Sequence, residues 1–179
     1  AGAIPLGKTN LDQFATGLVG ERAPDDYGVP ANAFDPKRIP GGSSSGSAVV
    51  AAQGQVSFAL GTDTAGSGRV PACFHNLYGV KPSLGLLSTR GVVPACATLD
   101  TISLFAFGAD DAAAVLSVAA IFDPQCAWSR RHDFALEGQV YGAAPPRFRF
   151  GIAPEHQWHT DTDYTAGMKA AIASLESQG

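Results

Sequence analysis

The chain has 179 residues, of which 45% are hydrophobic and only 16% are charged, as in one compact globular domain with a sizeable core. The formal net charge of −4, with no Lys/Arg cluster interleaved with aromatic residues, argues against a nucleic-acid partner. The longest apolar stretch, 109–122, is too short and alanine-rich to span a bilayer, and no signal-like segment opens the chain. We therefore expect a cytoplasmic protein with no membrane partner.

Helical and strand-like patterns alternate along the chain. The predicted strands or extended segments are 56–63, 76–83, 86–95, 100–109 and 148–154. The predicted helices are 44–54, 111–122 with Asp110 as N-cap, and 160–179, and the mixed-composition segment 123–147 is predicted to be a surface loop. This order predicts an α/β fold in which helices flank both faces of a mixed β-sheet.

Two runs of glycine and serine, GGSSSGS at 41–47 and TDTAGSG at 62–68, flank the strand-like segment 56–63. Glycine permits positive φ and close backbone approach, so the second run could turn several N–H groups toward one point, as an oxyanion hole does. Ser67 would sit beside those donors as a nucleophile. The four histidines are scattered and none lies in a Ser-His-Asp context, so the second serine run suggests a relay that passes the proton to a neutral lysine.

Less specific interpretations of these runs explain the pattern less well. Glycine-serine segments are commonly linkers, but linkers do not flank a buried strand. A phosphate-binding P-loop requires a lysine after its second glycine, and none follows Gly46. The three cysteines, Cys73, Cys96 and Cys126, have no CxxC spacing, so we expect buried thiols, no metal site and no cofactor.

The motifs GGSSSGSA (41–48) and GTDTAGSGRVPA (61–72) resemble the amidase signature family of Ser-cisSer-Lys amide hydrolases. The resemblance is specific, because Ser67 stands 24 positions after Ser43, as the family's nucleophile does after its cis-serine. GKTNLDQFATG (7–17) and YGVKPSLGLLS (78–88) resemble neighbouring family segments. Essentially the whole chain aligns, to the middle of such a protein.

The resemblance implies a role for each matching position. Ser67 would be the nucleophile, and Ser43, preceded by a cis peptide bond, would shuttle the proton. The backbone amides of the loop would form the oxyanion hole, namely those of Thr64, Ala65, Gly66 and Ser67. Four further residues are expected to support the loop rather than react: Asp63, Arg69, Gly42 and Ser44.

The family's general-base lysine lies upstream of the GKTN segment, and Lys8 and Lys81 match other family positions. We therefore expect residues 1–179 to be the central part of one amidase signature domain, inactive alone and prone to self-association. The stretch GLLSTRGVVPACATLD (85–100) is similar to the family members that hydrolyse allophanate, a carboxylated urea, to ammonia and carbon dioxide. Two alternatives stay open: the glutaminase subunit of a tRNA-dependent amidotransferase, and a non-catalytic fragment. The expected partner is a small-molecule amide.

Overall fold

The computed structural model describes residues 2–132, 148–158 and 161–178, which fall into two compact units, Ala1–Glu137 and Gly138–Gly179. The first unit contains the strands β1 (Ala59–Asp63), β2 (Tyr78–Val80) and β3 (Thr101–Ala106). Its helices are α1 (Ser45–Ala52), α2 (Arg69–Phe74) and α3 (Ala109–Ala119), preceded by a 3-10 turn at Gln13–Ala15. The second unit contains a 3-10 turn at Glu155–Gln157 and helix α4 (Thr162–Glu176). None of these helices is long and apolar enough to cross a membrane.

The sheet has the order β1-β3-β2, and both pairings are antiparallel. Ala59 pairs with Phe105 in the first ladder, and Tyr78 pairs with Ala106 in the second. Strands β1 and β2 are therefore parallel to each other, joined through α2, with β3 inserted between them. The α/β class is confirmed, and both hydrogen-bonded pairings among the three described strands are antiparallel.

Both faces of the central strand β3 are covered. Phe105 is fully buried and belongs to an apolar cluster with Ala48 and Ala51 of α1, Ala72 of α2, Ala59 of β1 and Leu77, which precedes β2. Successive side chains on a strand point to opposite faces, so Leu104, 1% exposed, faces away from that cluster. Helix α3, which follows β3 in the chain, also contacts this strand. The serine run before α1 and the loop after β1 therefore lie on a sheet that is packed on both sides.

Three local predictions need correction. Segment 86–95 forms turns rather than a strand, with Gly91 at a φ of +82° and the Val92 amide donating to Thr89 O at 3.1 Å. Segment 148–154 is also not a strand, since no described residue pairs with it. Helix α3 begins earlier and ends earlier than expected, and its N-cap is Gly108; Asp110 instead lies in the first turn, where a negative charge favours the helix dipole.

In the second unit, the predicted C-terminal helix is confirmed as α4. Asp161 is its N-cap and accepts a hydrogen bond from the Tyr164 amide at 2.8 Å. Lys169 pairs with Glu155 at 2.8 Å. Most of the predicted surface loop 123–147, from residue 133 onward, lies outside the described residues, as do Thr160 and Gly179.

His75, the C-cap residue of α2, is buried, and its surroundings favour the neutral imidazole. Its Nδ1 lies 2.9 Å from Pro71 O and therefore carries the proton, while Nε2 accepts a hydrogen bond from the Ala33 amide at 3.3 Å. Burial lowers the pKa of His75, and the hydrogen bond to Pro71 offsets this only in part. A proton added at Nε2 would face the Ala33 N–H, so the folded state disfavours the imidazolium.

We expect His75 to make the first unit less stable as the pH falls below about 6.5. The unfolded chain binds a proton there that the folded chain excludes, so the free energy of unfolding decreases by at most about 1.4 kcal/mol per pH unit. Urea denaturation between pH about 5 and about 7.5 measures this slope. His75→Gln should flatten it in that window, and an equal slope in the variant would contradict the assignment.

Candidate active site

The first serine run packs against the segment that contains Asp12. The Gly42–Ser43 peptide bond is cis, as the family resemblance implies. The Asp12 amide donates to Ser43 O at 3.0 Å, and Ser43 is fully buried. Gly42 is required here, because a Cβ at that position would lie 2.7 Å from Gly20 N and would also collide with the Asp12 carboxylate. The backbone around Ser43 is therefore held by the hydrogen bond from the Asp12 amide and by the close packing of Gly42 against Gly20.

Ser44 connects the first serine run to the second. Its amide donates to Ser67 O at 3.2 Å. Its hydroxyl donates to Thr62 O at 3.2 Å and accepts from the Thr62 amide at 3.1 Å, so one side chain satisfies both polar groups of a β1 residue. The structure therefore brings the two runs together at the C-terminal end of β1, although 24 positions separate Ser43 from Ser67.

The loop between β1 and α2 is shaped around the carboxylate of Asp63, which is fully buried. Oδ1 accepts from the Gly66 amide at 2.8 Å and from Arg69 Nη2 at 3.0 Å. Oδ2 accepts from the amides of Gly68 and Arg69, each at 3.1 Å, and from Arg69 Nε at 2.9 Å. Gly66, at a φ of +128°, supplies the backbone turn that lets these donors converge.

These donors keep Asp63 ionised. Burial alone raises the pKa of Asp63, but the hydrogen bonds from Arg69, Gly66 and Gly68 outweigh it, and the net pKa is lowered. The same pairing raises the pKa of Arg69. The Arg69 side chain is 53% exposed, so solvent screens its charge, whereas the Asp63 carboxylate depends on its bound donors.

The four amides predicted to form an oxyanion hole are not equivalent. The Gly66 amide is already bound to Asp63, whereas the amides of Thr64, Ala65 and Ser67 donate to no acceptor among the described residues. Ser67 itself is 4% exposed. A developing oxyanion could therefore be bound by three of the four groups without breaking a loop contact.

The hydroxyl of Ser43 makes no hydrogen bond with any described residue, Ser67 included. The backbone contacts that place the two serines close to each other are present, but the hydroxyl contact that a proton relay uses is not formed. Catalytic hydrogen bonds are commonly long without substrate and shorten in the substrate complex. The two lysines near these motifs in sequence, Lys8 and Lys81, are respectively exposed and partly exposed.

Sequence reasoning missed two buried carboxylates at this site. Asp12, fully buried, contacts the Ser43 segment, and Asp100, 6% exposed, accepts a hydrogen bond from Thr64 Oγ1. Each lies inside a quoted motif, NLDQF or ATLD, and an acidic residue within an apolar run was the available signal. No group of three metal-ligating side chains occurs in the described ranges. The expectation of buried thiols holds for Cys126, whereas Cys73 and Cys96 are exposed.

Comparison with known proteins identifies the family of this chain. The family model described as Amidase matches residues 1–179. The chain belongs to the amidase family. It is 45% identical to urea amidolyase of Lachancea kluyveri over the whole chain, and 39% identical to one subunit of the glutamyl-tRNA(Gln) amidotransferase of Chlorobium phaeobacteroides over 99% of it. The structure of Kluyveromyces lactis allophanate hydrolase superimposes with a TM-score of 0.79 at 42% identity, covering 96% of this chain.

The match spans only part of each of these amidase-family proteins. The chain covers 10% of the urea amidolyase, 27% of the allophanate hydrolase structure and 37% of the amidotransferase subunit. The comparisons establish the family membership and the α/β fold of this chain.

We expect Asp63→Asn to destabilise this amidase-family loop by about 2–3 kcal/mol, because the amide nitrogen would face N–H donors that now bind a carboxylate. The wild-type contribution is present above pH about 4 and is lost as the pH falls through the lowered pKa of Asp63. Urea denaturation at neutral pH measures the loss. The matched control is Asp123→Asn, which removes the partly exposed ion pair with Arg90; an equal loss in both variants would contradict a special role for Asp63.

Proposed function

We propose that the full-length protein containing this chain is an amide hydrolase that uses Ser67 as its nucleophile and Ser43 as a proton relay. The observation that carries the proposal is the hydrogen bond from the Ser44 amide to Ser67 O, which joins the two serine runs of an amidase-family chain. Both candidate serines are buried beside a loop in which the amides of Thr64, Ala65 and Ser67 have no acceptor among the described residues.

In the proposed reaction, Ser67 Oγ attacks the amide carbonyl carbon while Ser43 accepts its proton. The amides of Thr64, Ala65 and Ser67 stabilise the negative charge that develops on the carbonyl oxygen. The C–N bond then breaks, the leaving nitrogen takes up a proton, and water hydrolyses the acyl-serine. Asp63, Arg69, Gly42 and Ser44 hold the backbone and take no part in proton transfer.

A serine hydroxyl at neutral pH needs a base, and Ser43 can only pass the proton on. The family resemblance implies a neutral lysine as the acceptor. Ser43 Oγ is buried and hydrogen-bonds to none of the described residues, which is consistent with a lysine outside those residues as its partner. Lys8 and Lys81 are excluded from this proposal, because they match other positions in the family.

For the substrate we propose allophanate. The stretch 85–100, on which the resemblance to allophanate-hydrolysing members depends, folds against the nucleophile loop, because Asp100 binds the Thr64 side chain. The likeness to a urea amidolyase and to an allophanate hydrolase structure supports the same choice. The second candidate is the glutaminase subunit of a tRNA-dependent amidotransferase, which the 39% identity to such a subunit supports.

Ser67→Ala and Ser43→Ala should each lower kcat of the full-length enzyme by at least about 10³-fold, because the nucleophile or its proton path is lost. The double variant should be no slower than the slower single variant, since the two residues act as a unit. Ser45→Ala is the matched control, because Ser45 is equally buried in the same run and its hydroxyl also has no described partner. Ammonia release measures the rates. A loss in the double variant equal to the product of the two single losses would exclude a shared relay.

The substrate proposal predicts that kcat/KM for allophanate exceeds that for glutamine by at least about 100-fold. Ammonia release from each compound, with Ser67→Ala as the blank, measures both values. A preference for glutamine that requires added partner subunits would establish the amidotransferase alternative instead. No hydrolysis of either compound by a folded protein would refute both substrates.

A further inference from the structure

Asp100 binds the nucleophile loop through a side chain that no step of the proposed reaction uses. Its Oδ1 accepts a hydrogen bond from Thr64 Oγ1. The Ala95 amide donates to Oδ2 at 2.9 Å, and the Cys96 amide donates to both oxygens at 3.0 Å. Asp100 is 6% exposed, so these donors rather than water satisfy the carboxylate.

The next residue strengthens the same contact. Thr101 Oγ1 donates to Asp63 O at 3.0 Å, and Thr101 is the ladder partner of Asp63. Asp100 and Thr101, where the chain enters β3, therefore bind Thr64 and Asp63, where the chain leaves β1. The Asp63 carboxylate binds backbone amides and the Arg69 side chain within the loop, as described above. Asp100 belongs to another segment and binds the side chain of Thr64, the first residue of the loop.

Thr64 is the residue whose orientation matters for catalysis. Its amide is one of the three that could bind the oxyanion, and with the side chain anchored the peptide groups on either side of its Cα have little freedom to rotate. Oxyanion donors accelerate a reaction only when they are already aimed at the position where charge develops. If the Thr64 side chain were not anchored, substrate binding in the ground state would be unchanged, but the Thr64 amide would stabilise the transition state less.

We propose that Asp100 is a positioning residue for the oxyanion hole, acting through the Thr64 hydroxyl. The inference rests on the proposed function, because it assumes that Ser67 attacks a carbonyl whose oxygen faces these amides. It also assigns a task to the stretch 85–100: the turn that supplies the Ala95 and Cys96 amides orients Asp100, and through it the nucleophile loop.

A carboxylate suits this position better than its amide isostere. Three donors converge on Asp100, and an ionised carboxylate is acceptor-only, so it accepts all of them. Asparagine would turn its NH₂ toward either the backbone amides or the Thr64 hydroxyl. Asp100→Asn should therefore release Thr64 or loosen the turn that holds it.

The test uses four single variants and one double variant of the full-length enzyme. Thr64→Val removes the hydroxyl with little change of shape, and Thr64→Ser restores it. Asp100→Asn changes the acceptor. Ser88→Ala is the matched control, because it removes another hydroxyl–carboxylate hydrogen bond, to Asp123 at 2.8 Å, while Asp123 keeps its ion pair with Arg90.

Thr64→Val and Asp100→Asn should each lower kcat by about 10- to 100-fold, with KM changed by less than about threefold, because the loss falls on the transition state. Ser88→Ala should stay within about threefold of wild type in both constants, and Thr64→Ser should recover at least about half of the loss in log kcat that Thr64→Val shows. The Thr64→Val/Asp100→Asn double variant should be no slower than the slower single variant, since both changes remove the same contact. Amide hydrogen exchange of segment 63–67 should accelerate in Thr64→Val and not in Thr64→Ser.

Wild-type kcat in Thr64→Val, or losses that multiply in the double variant, would overturn the role of Asp100 even if the enzyme is an amidase. If Asp100→Asn does not fold, the Thr64→Val and Thr64→Ser pair decides, because neither changes a buried charge. Failure of the proposed function is recognised separately: wild type would neither release ammonia from amides nor be labelled at Ser67 by a fluorophosphonate, as mapped by mass spectrometry. That result would overturn the inference as well.

Discussion

The buried carboxylate of Asp63 determines the shape of the loop on which the candidate chemistry depends. Five hydrogen bonds converge on it, from two glycine amides and from the backbone and side chain of Arg69. Each donor belongs to one of the six residues that follow Asp63 in sequence, so the backbone of this segment folds around the Asp63 carboxylate. Neutral side chains of similar size could not accept all five donors. The loop conformation is therefore tied to the ionisation of one group.

This constraint extends from the loop into the sheet. Gly68, one of the donors, lies so close to Ser103 of β3 that a Cβ there would collide with that side chain. Ser44 fills the equivalent space over Gly61 on β1 and reaches the backbone of Thr62. Small residues at these positions let α1, α2 and the loop approach the strands to backbone distance. The two glycine-serine runs are consequently supported by a packed sheet, and their glycines permit close contact as well as backbone turns.

Local patterns predicted the elements that bury their own apolar residues. Strands β1 and β3 and helices α1, α3 and α4 lie where runs of suitable residues indicated them, and the family resemblance, which the spacing of Ser43 and Ser67 supports, implied a joint site. The relative directions of the strands could not be predicted from local patterns. They depend on the insertion of β3 between β1 and β2, and β3 is distant in sequence from both. Segment 148–154 has strand composition but no described partner, and composition alone does not supply one. Asp100 was missed because its partners Thr64 and Cys96 lie on different segments.

The polar atoms that have no partner in the described residues are unevenly distributed. They include Asp12 Oδ2 and the hydroxyls of Ser43, Ser45 and Ser103, all fully buried. Each of these atoms belongs to, or lies against, one of the two serine runs, whereas the core cluster around Phe105 is apolar. A buried polar group without a hydrogen bond costs about 1–3 kcal/mol, so a fold selected for stability alone would replace such serines by alanine. Two carboxylates, Asp63 and Asp100, instead bind the loop beside these serines, and the proposed proton relay gives one of the four partnerless atoms, Ser43 Oγ, a reason other than packing.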